Sequence, residues 1–379
     1  MCWKSPYPTR GGLDLRVDGI SRSLSSTFEV SIICMNASTR DTPDYISNIY
    51  VGPAVKTVEN HEVIRWGREN PNDPFGVFVN LNQVEFIKDA VSNVDPDVVI
   101  ISRLMTWRVF SQAFPKRKTP TLLDLDETSN RLKNSYEAAS VLGPSVKVVG
   151  SFHARNIDYE NQAISEADQI IVSSVLEEKD CATKLPSSKV SVIKNVVAKK
   201  TFIRTWGPER RRVIFPGNFD YAPNRVAFKF IINEIVPQLP EFKFVFAGSG
   251  LDVDRIKTPT NVEINAFPQD MNHEFERADF LVAPLIFGAG TRLKVLEAMN
   301  SETVVIATKF AVEGLEVEPN IHYQPAETAE EYIAALKNLG QDLVKCQFMA
   351  RNARKLIENS YTPESIQGSL EDAIAIAKQ

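Results

Sequence analysis

The sequence predicts an α/β protein in two domains, each a parallel sheet covered by helices. Three observations carry that expectation. Short apolar runs alternate with longer amphipathic segments along most of the chain. The chain has 379 residues, too many for a single hydrophobic core. A glycine-rich turn, Gly288-Ala289-Gly290, separates an apolar run from an amphipathic helix, as in a strand-turn-helix unit whose ligand edge is the strand's carboxyl end.

Taken in order, only Met1 to Ser5 are available for a first strand, so that strand is very short or the sequence begins late. Gly11-Gly12 follows, and Arg16 to Ser26 reads as the first helix. Val30 to Cys34 is a strand, and Asn80 to Asn93 is a helix with Leu81, Val84, Ile87, Ala90 and Val91 on one face. Asp97 to Ser102 and Thr121 to Asp126 are buried strands. Lys199 to Arg212 is basic, holds Gly207 and Pro208, and shows no buried period, which marks it as the linker. A second alternating series then runs through Val213 to Phe215, Lys243 to Gly248 and Val262 to Ile264. Phe280 to Leu285 and Val304 to Thr308 flank the glycine turn as buried strands. Ala326 to Leu339, Lys345 to Glu358 and Pro363 to Lys378 are helices.

Composition excludes several classes. Hydrophobic residues make up 43% and charged residues 24%, which is the balance of a soluble globular protein. A net charge of −5 argues against broad nucleic-acid binding. Cys2, Cys34, Cys181 and Cys346 are scattered and form no CxxC pair, so reduced thiols in a cytosolic protein are expected. No apolar run approaches the roughly 20 residues that span a bilayer, and no signal peptide is evident.

The chemistry concentrates in Gly288 to Met299. A helix start exposes unpaired N–H groups and the positive end of the helix dipole, and glycine lets a phosphate approach the backbone. Lys294 and Glu297 are three apart and share a face. Lys294 suits a phosphate, and Glu297 suits the two hydroxyls of a ribose. The plainer alternative is turn punctuation followed by a core helix packed through Leu293, Leu296 and Met299.

The run Pro284-Leu285-Ile286-Phe287-Gly288-Ala289-Gly290-Thr291-Arg292-Leu293-Lys294-Val295-Leu296-Glu297-Ala298-Met299, with Val304 to Thr308 and Glu313-Gly314-Leu315 behind it, resembles the donor-site signature of group 1 (family 4) glycosyltransferases. Ser5 to Gly12, Ala167 to Ser174, Val192 to Asn195 and Phe215 to Asn224 resemble other segments of the same family, in the same order. The resemblance implies the GT-B fold: two Rossmann-like domains facing a central cleft, with the last helix crossing back to the first domain. It places residues 1–198 with 363–379 in an acceptor domain and 199–362 in a donor domain. It implies a retaining, metal-independent transferase of the hexosyltransferase kind, with no cofactor beyond a UDP- or GDP-linked sugar. The acceptor would be a carbohydrate, a lipid-linked saccharide or a small molecule. Lys294, Arg292 and Glu297 would act on the departing diphosphate and the ribose. Gly11, Gly12, Gly217, Asn218, Phe267, Gly288, Gly290, Thr291 and Leu293 would line the donor. Asn265-Ala266-Phe267-Pro268 follows the strand Val262 to Ile264 at the sheet's carboxyl edge, so Phe267 either lies beside the nucleobase or is a buried loop aromatic.

The chain also departs from the family pattern. Asn218 stands where an arginine is common, without a lysine soon after it, so Arg292 and Lys294 are expected to meet the diphosphate charge. Ala289 stands where an acid commonly binds the donor sugar, and Ser102-Arg103 where many members have a histidine. His61, His153, His273 and His322 are expected in structural or surface roles. Asp124-Leu125-Asp126-Glu127 could mimic a metal motif, but no third acidic segment supports one. Asp126 or Glu127 either binds acceptor hydroxyls or ends a strand at a helix cap. Arg103 to Lys118 is either a core helix with a basic end or a face touching anionic membrane. Asn218 and Ala289 also leave open a catalytically silent nucleotide-sugar-binding subunit, and the fold admits a sugar-nucleotide epimerase.

Overall fold

The computed structural model describes residues 1–9, 11–36, 42–53, 58–183, 185–186, 189–201, 204–207, 210–251, 258–266, 268, 270–290 and 292–379. They form two compact units, Met1–Asn195 with Ile366–Gln379, and Val196–Ser365.

The strands of the first unit are β1 (Cys2–Lys4), β2 (Ser31–Asn36), β3 (Asn48–Val51), β4 (Val99–Ser102), β5 (Thr121–Asp126), β6 (Gln169–Val172) and β7 (Val190–Val192). All the pairings are parallel, in the orders β1-β2-β3 and β4-β5-β6-β7. The Met1 nitrogen donates to Ile100 O at 2.6 Å, and Ser102 N donates to Met1 O at 3.0 Å. These bonds tie β1 to β4, so the unit reads β3-β2-β1-β4-β5-β6-β7, the doubly wound Rossmann order.

In the second unit the strands are β8 (Arg212–Pro216), β9 (Lys243–Ala247), β10 (Val262–Asn265), β11 (Phe280–Ala283), β12 (Val304–Ala307) and β13 (Gln324–Pro325). Their order is β10-β9-β8-β11-β12-β13, again parallel throughout. Strand order reverses between β8 and β11, and the loops leaving that pair are where an open α/β sheet accepts a ligand. β11 and β12 are buried along their whole length, as strands covered on both faces must be.

Several boundaries differ from those the sequence suggested. The first helix is Gly12–Leu24, with Gly11 as its N-cap. Apolar periodicity starts it late because its buried face is polar: Asp14, Arg16, Asp18 and Ser21 all point inward. Arg16 is 1% exposed. Its Nε donates to Asp124 Oδ1 at 2.8 Å and Oδ2 at 3.0 Å, and its Nη2 donates to Oδ1 at 2.6 Å. Its Nη1 donates to Ile193 O at 3.0 Å and Asn195 Oδ1 at 2.8 Å. The helix expected at Ala326 begins at Ala329, where Thr328 and Glu331 form a capping box.

The expected linker is not a solvated tether. Arg204 is buried and donates to the carbonyls of Phe275, Ala278 and Ser301. Arg210 is buried as well and donates to Gly340 O at 2.9 Å. Among its described residues, the segment packs on the second unit through these two buried cations. The last helix is Pro363–Ala377, and its residues from Ile366 belong to the first unit, where Thr27 Oγ1 donates to Glu371 Oε1 at 2.9 Å.

Leu104, Trp107 and Phe110 are buried in the first unit's core, and Phe114 packs against it. Burial thus accounts for the aromatic spacing of Arg103 to Lys118, and these rings offer no membrane face. Among the described residues, no helix is long and apolar enough to cross a membrane.

Candidate functional site

The loop after β8 begins with Gly217 and Asn218 and enters the helix Ala222–Phe230. The loop after β11 carries Gly288 and Gly290, with φ of 115° and 73°, and enters the helix Leu293–Asn300. The two loops meet at the point where strand order reverses. Lys294, in the first turn of the second helix, donates from Nζ to Asn224 Oδ1 at 2.8 Å and lies 4.2 Å from the centroid of the Phe215 ring. Asn224 Nδ2 in turn donates to Asn218 O at 2.8 Å. A Cβ on Gly217 would stand 2.7 Å from Asn224 Nδ2 and 3.2 Å from Lys294 Nζ, so any larger residue would push this amide and ammonium aside.

The neighbouring loop supports this one from below. Gly217 N donates to Ala247 O at 2.9 Å, and Phe219 N donates to Ser249 O at 2.8 Å. A Cβ on Gly248 would lie 2.0 Å from Gly217 O, and Gly248 has φ of +133°. Glycine is required there on both counts.

Burial, with Arg292 nearby, holds the Lys294 ammonium down to about 7, while Glu297 pulls weakly the other way. Glu297 is raised to about 7 by its own burial, against the pull of Lys200 and Lys294. Its carboxylate makes no hydrogen bond or ion pair with a described residue. An unpaired carboxylate and a desolvated ammonium one turn apart on a helix are both poised for a polar ligand.

Arg292 is placed differently from the expectation. Its Nη1 donates to the carbonyl oxygens of Ala289 and Gly290, and its guanidinium lies 4.9 Å from the Phe310 ring centroid. The guanidinium braces its own loop. Leu293 is buried at 7% exposure and packs the helix rather than lining open space. Thr291 and Phe267 lie outside the described residues.

In the first unit, Gly11 and Gly12 are exposed at the start of the first helix. A Cβ on Gly11 would meet nothing nearer than Asp14 Oδ2 at 4.0 Å, so packing within the unit does not demand glycine there. Asp126 is engaged by neighbours within its own unit. Its side chain is 9% exposed and accepts from Arg103 Nη2 at 3.0 Å and from Asn195 Nδ2 at 3.2 Å. Asp124 is held by Arg16, and burial nonetheless pushes its carboxyl upward. Both aspartates are thus committed to internal bonds, and Asp126 stands at a positive φ of 58° opposite Arg103 at 71°. Glu127 follows directly, its N–H donating to Leu125 O at 2.6 Å. His153 is half-buried against the Tyr136 and Phe152 rings, and desolvation with the Arg103 charge lowers it to about 4. Among the described residues, no group of three or more His, Cys, Asp or Glu side chains is assembled.

Sequence reasoning missed Asn224. The Pro223-Asn224 pair was the available signal, since a proline in the first turn marks a helix start and so places Asn224 at the mouth of the β8 loop.

Residues 210–342 match the family model described as Glycosyl transferases group 1. No curated protein sequence matches the chain. Among solved structures, sucrose-phosphate synthase from Thermosynechococcus elongatus is similar with a TM-score of 0.68 at 16% identity, over 98% of this chain and 96% of that one. Anabaena HepE in complex with UDP-glucose is similar with a TM-score of 0.66 at 13% identity, over 99% and 98%. The S. aureus TarM G117R mutant, in complex with Fondaparinux, alpha-GlcNAc-glycerol and UDP, gives 0.61 at 16% identity over 77% of this chain. The chain spans 59% of that TarM chain. At these identities the structural likeness shows the fold, which is GT-B: two Rossmann-like units in one chain.

Proposed function

We propose that this chain, whose second unit matches the group 1 glycosyltransferases, transfers a sugar from a UDP- or GDP-linked donor to an acceptor hydroxyl. The transfer proceeds with retention and belongs to the building of a glycan, a lipid-linked saccharide or a glycoconjugate. The observation that carries the reading is the convergence of Gly217, Asn224 and Lys294 where strand order reverses in the second unit. A backbone stripped of side chains beside a desolvated ammonium suits a diphosphate. Glu297, whose carboxylate makes no hydrogen bond among the described residues and which lies on the same helix, suits the ribose hydroxyls. The family match over residues 210–342 supports sugar transfer, and the UDP-glucose bound to HepE supports the donor class.

In this reading the protein's work is positioning and charge stabilisation. Lys294 meets the negative charge that grows on the departing diphosphate. Arg292 holds the Gly288–Gly290 loop in shape and acts on that charge from a distance. No cofactor or metal is required beyond the donor. The acceptor binds to the first unit, with Glu127 as the candidate contact.

A panel of UDP- and GDP-sugars tests this. Release of free UDP or GDP, faster with a suitable acceptor, is the expected result. Inversion of the donor sugar without release would instead mean an epimerase, and binding without turnover a silent subunit. Lys294→Ala should lower turnover at least about a hundredfold at saturating donor, as loss of one well-placed electrostatic donor does.

A further inference from the structure

We infer that Asn224 is a positioning residue: its side-chain amide fixes the Lys294 ammonium over Gly217 and couples it to the Asn218 loop. The inference rests on the proposed donor site and adds a residue to it.

The amide can sit only one way. Its Oδ1 accepts from Lys294 Nζ at 2.8 Å, and its Nδ2 donates to Asn218 O at 2.8 Å. Flipped, it would set an NH2 group against an ammonium and an oxygen against a carbonyl. Asn224 is 7% exposed, so neither partner is readily replaced by bulk water. The amide therefore links three elements: the β8 loop, the start of the helix Ala222–Phe230 and the start of the helix Leu293–Asn300.

A lysine carries four rotatable carbons and points only where something holds it. Here a neutral acceptor does the holding. The Phe215 ring face, 4.2 Å from Nζ, adds a second attraction that leaves the charge unneutralised. The charged groups acting on Lys294 are Arg292, which disfavours its protonation, and Glu297, which favours it. A carboxylate in place of the Asn224 amide would fix the lysine equally well but cancel the charge that the diphosphate is to meet. The amide is thus the acceptor that aims the cation without consuming it.

Asn224→Asp and Asn224→Ala separate aim from charge. Nucleoside diphosphate binding to the full chain is titrated from pH 6 to 9 with UDP and GDP, and turnover is followed over the same range. In Asn224→Asp, an anion in contact with the ammonium raises its pKa by at least one unit. The alkaline limb of the activity profile should move up by about that amount, while diphosphate affinity at pH 6 falls at least about tenfold. In Asn224→Ala the cation loses its anchor, and kcat should fall about tenfold or more with KM little changed. Gly217→Ala should match Asn224→Ala, because its Cβ collides with the same amide. A residue needed only for folding would lower the melting temperature without moving the alkaline limb. Should Asn224→Asp fail to fold, the kcat-against-KM split of the other two variants decides. Wild-type turnover and an unmoved alkaline limb in the folded variants would overturn the inference. A wild-type chain that binds neither UDP nor GDP would overturn the donor reading instead.

Discussion

Arg16→Met should destabilise the first unit by about 3–5 kcal/mol, the usual effect of stripping the partner from a buried charge. Arg16 and Asp124 are each 1% exposed, and the arginine makes five hydrogen bonds to Asp124, Ile193 and Asn195. Methionine nearly fills the volume of the arginine stem but leaves the Asp124 carboxylate without a counter-charge in a dry interior. Pairing it with Asp124→Leu removes both charges, and the double variant should recover most of the loss. Urea unfolding is followed by pulsed hydrogen exchange on peptides covering β5 and β6, which report the first unit alone. With a slope of about 2–3 kcal/mol per molar, the single variant's midpoint should fall by roughly 1–2 M. The pH dependence has a definite sign. Burial already raises Asp124 above its ordinary range, and removing Arg16 raises it further. A raised carboxyl costs nothing below its unfolded value and progressively more as pH rises from there through its folded value. The deficit of Arg16→Met should therefore shrink as the pH falls from 7 toward 5. A loss below about 1 kcal/mol at pH 7, or a double variant no better than the single, would refute the argument that this pair anchors the first helix.

Glu297→Gln should weaken UDP or GDP binding by about 1.5–3 kcal/mol, seen by calorimetry. It should not weaken the fold: Glu297 is raised to about 7, so the wild type loses stability as pH rises through that value and the glutamine variant does not. A thermal-shift series from pH 6 to 8 in which the variant fails to gain on the wild type would contradict this. Gly248→Ala puts a Cβ 2.0 Å from Gly217 O, so it should lower the melting temperature and donor affinity together. Unchanged affinity in that variant would mean the β8 loop is independent of its neighbour.

The fold is legible largely because its central strands carry apolar runs. Phe280 to Ala283 and Val304 to Ala307 are buried on both faces, and such runs announce themselves without periodicity. The first helix was misplaced for the opposite reason, since charges rather than apolar side chains turn inward. The candidate donor loop is legible as glycines followed by Lys294 and Glu297. Its geometry was not. Arg292 curls back on its own carbonyls, and Lys294 reaches an asparagine 70 positions away in sequence. Asp126 looked available from its place at a strand end, but Arg103 and Asn195 lie next to it only in three dimensions. Spacing along a chain predicts which residues share a face, and says little about which distant residue has already claimed them.

The strand order of the second unit bears on redesign. Both candidate loops leave neighbouring strands at the sheet's carboxyl edge, while register is fixed by residues with no exposed surface. The segments 217–225 and 284–292 can therefore be treated as an exchangeable cassette on a fixed frame. Asn224 and Lys294 lie one in the first segment and one just beyond the second, and they must travel together. A graft that carries one without the other would deliver a well-folded sheet with an unaimed charge.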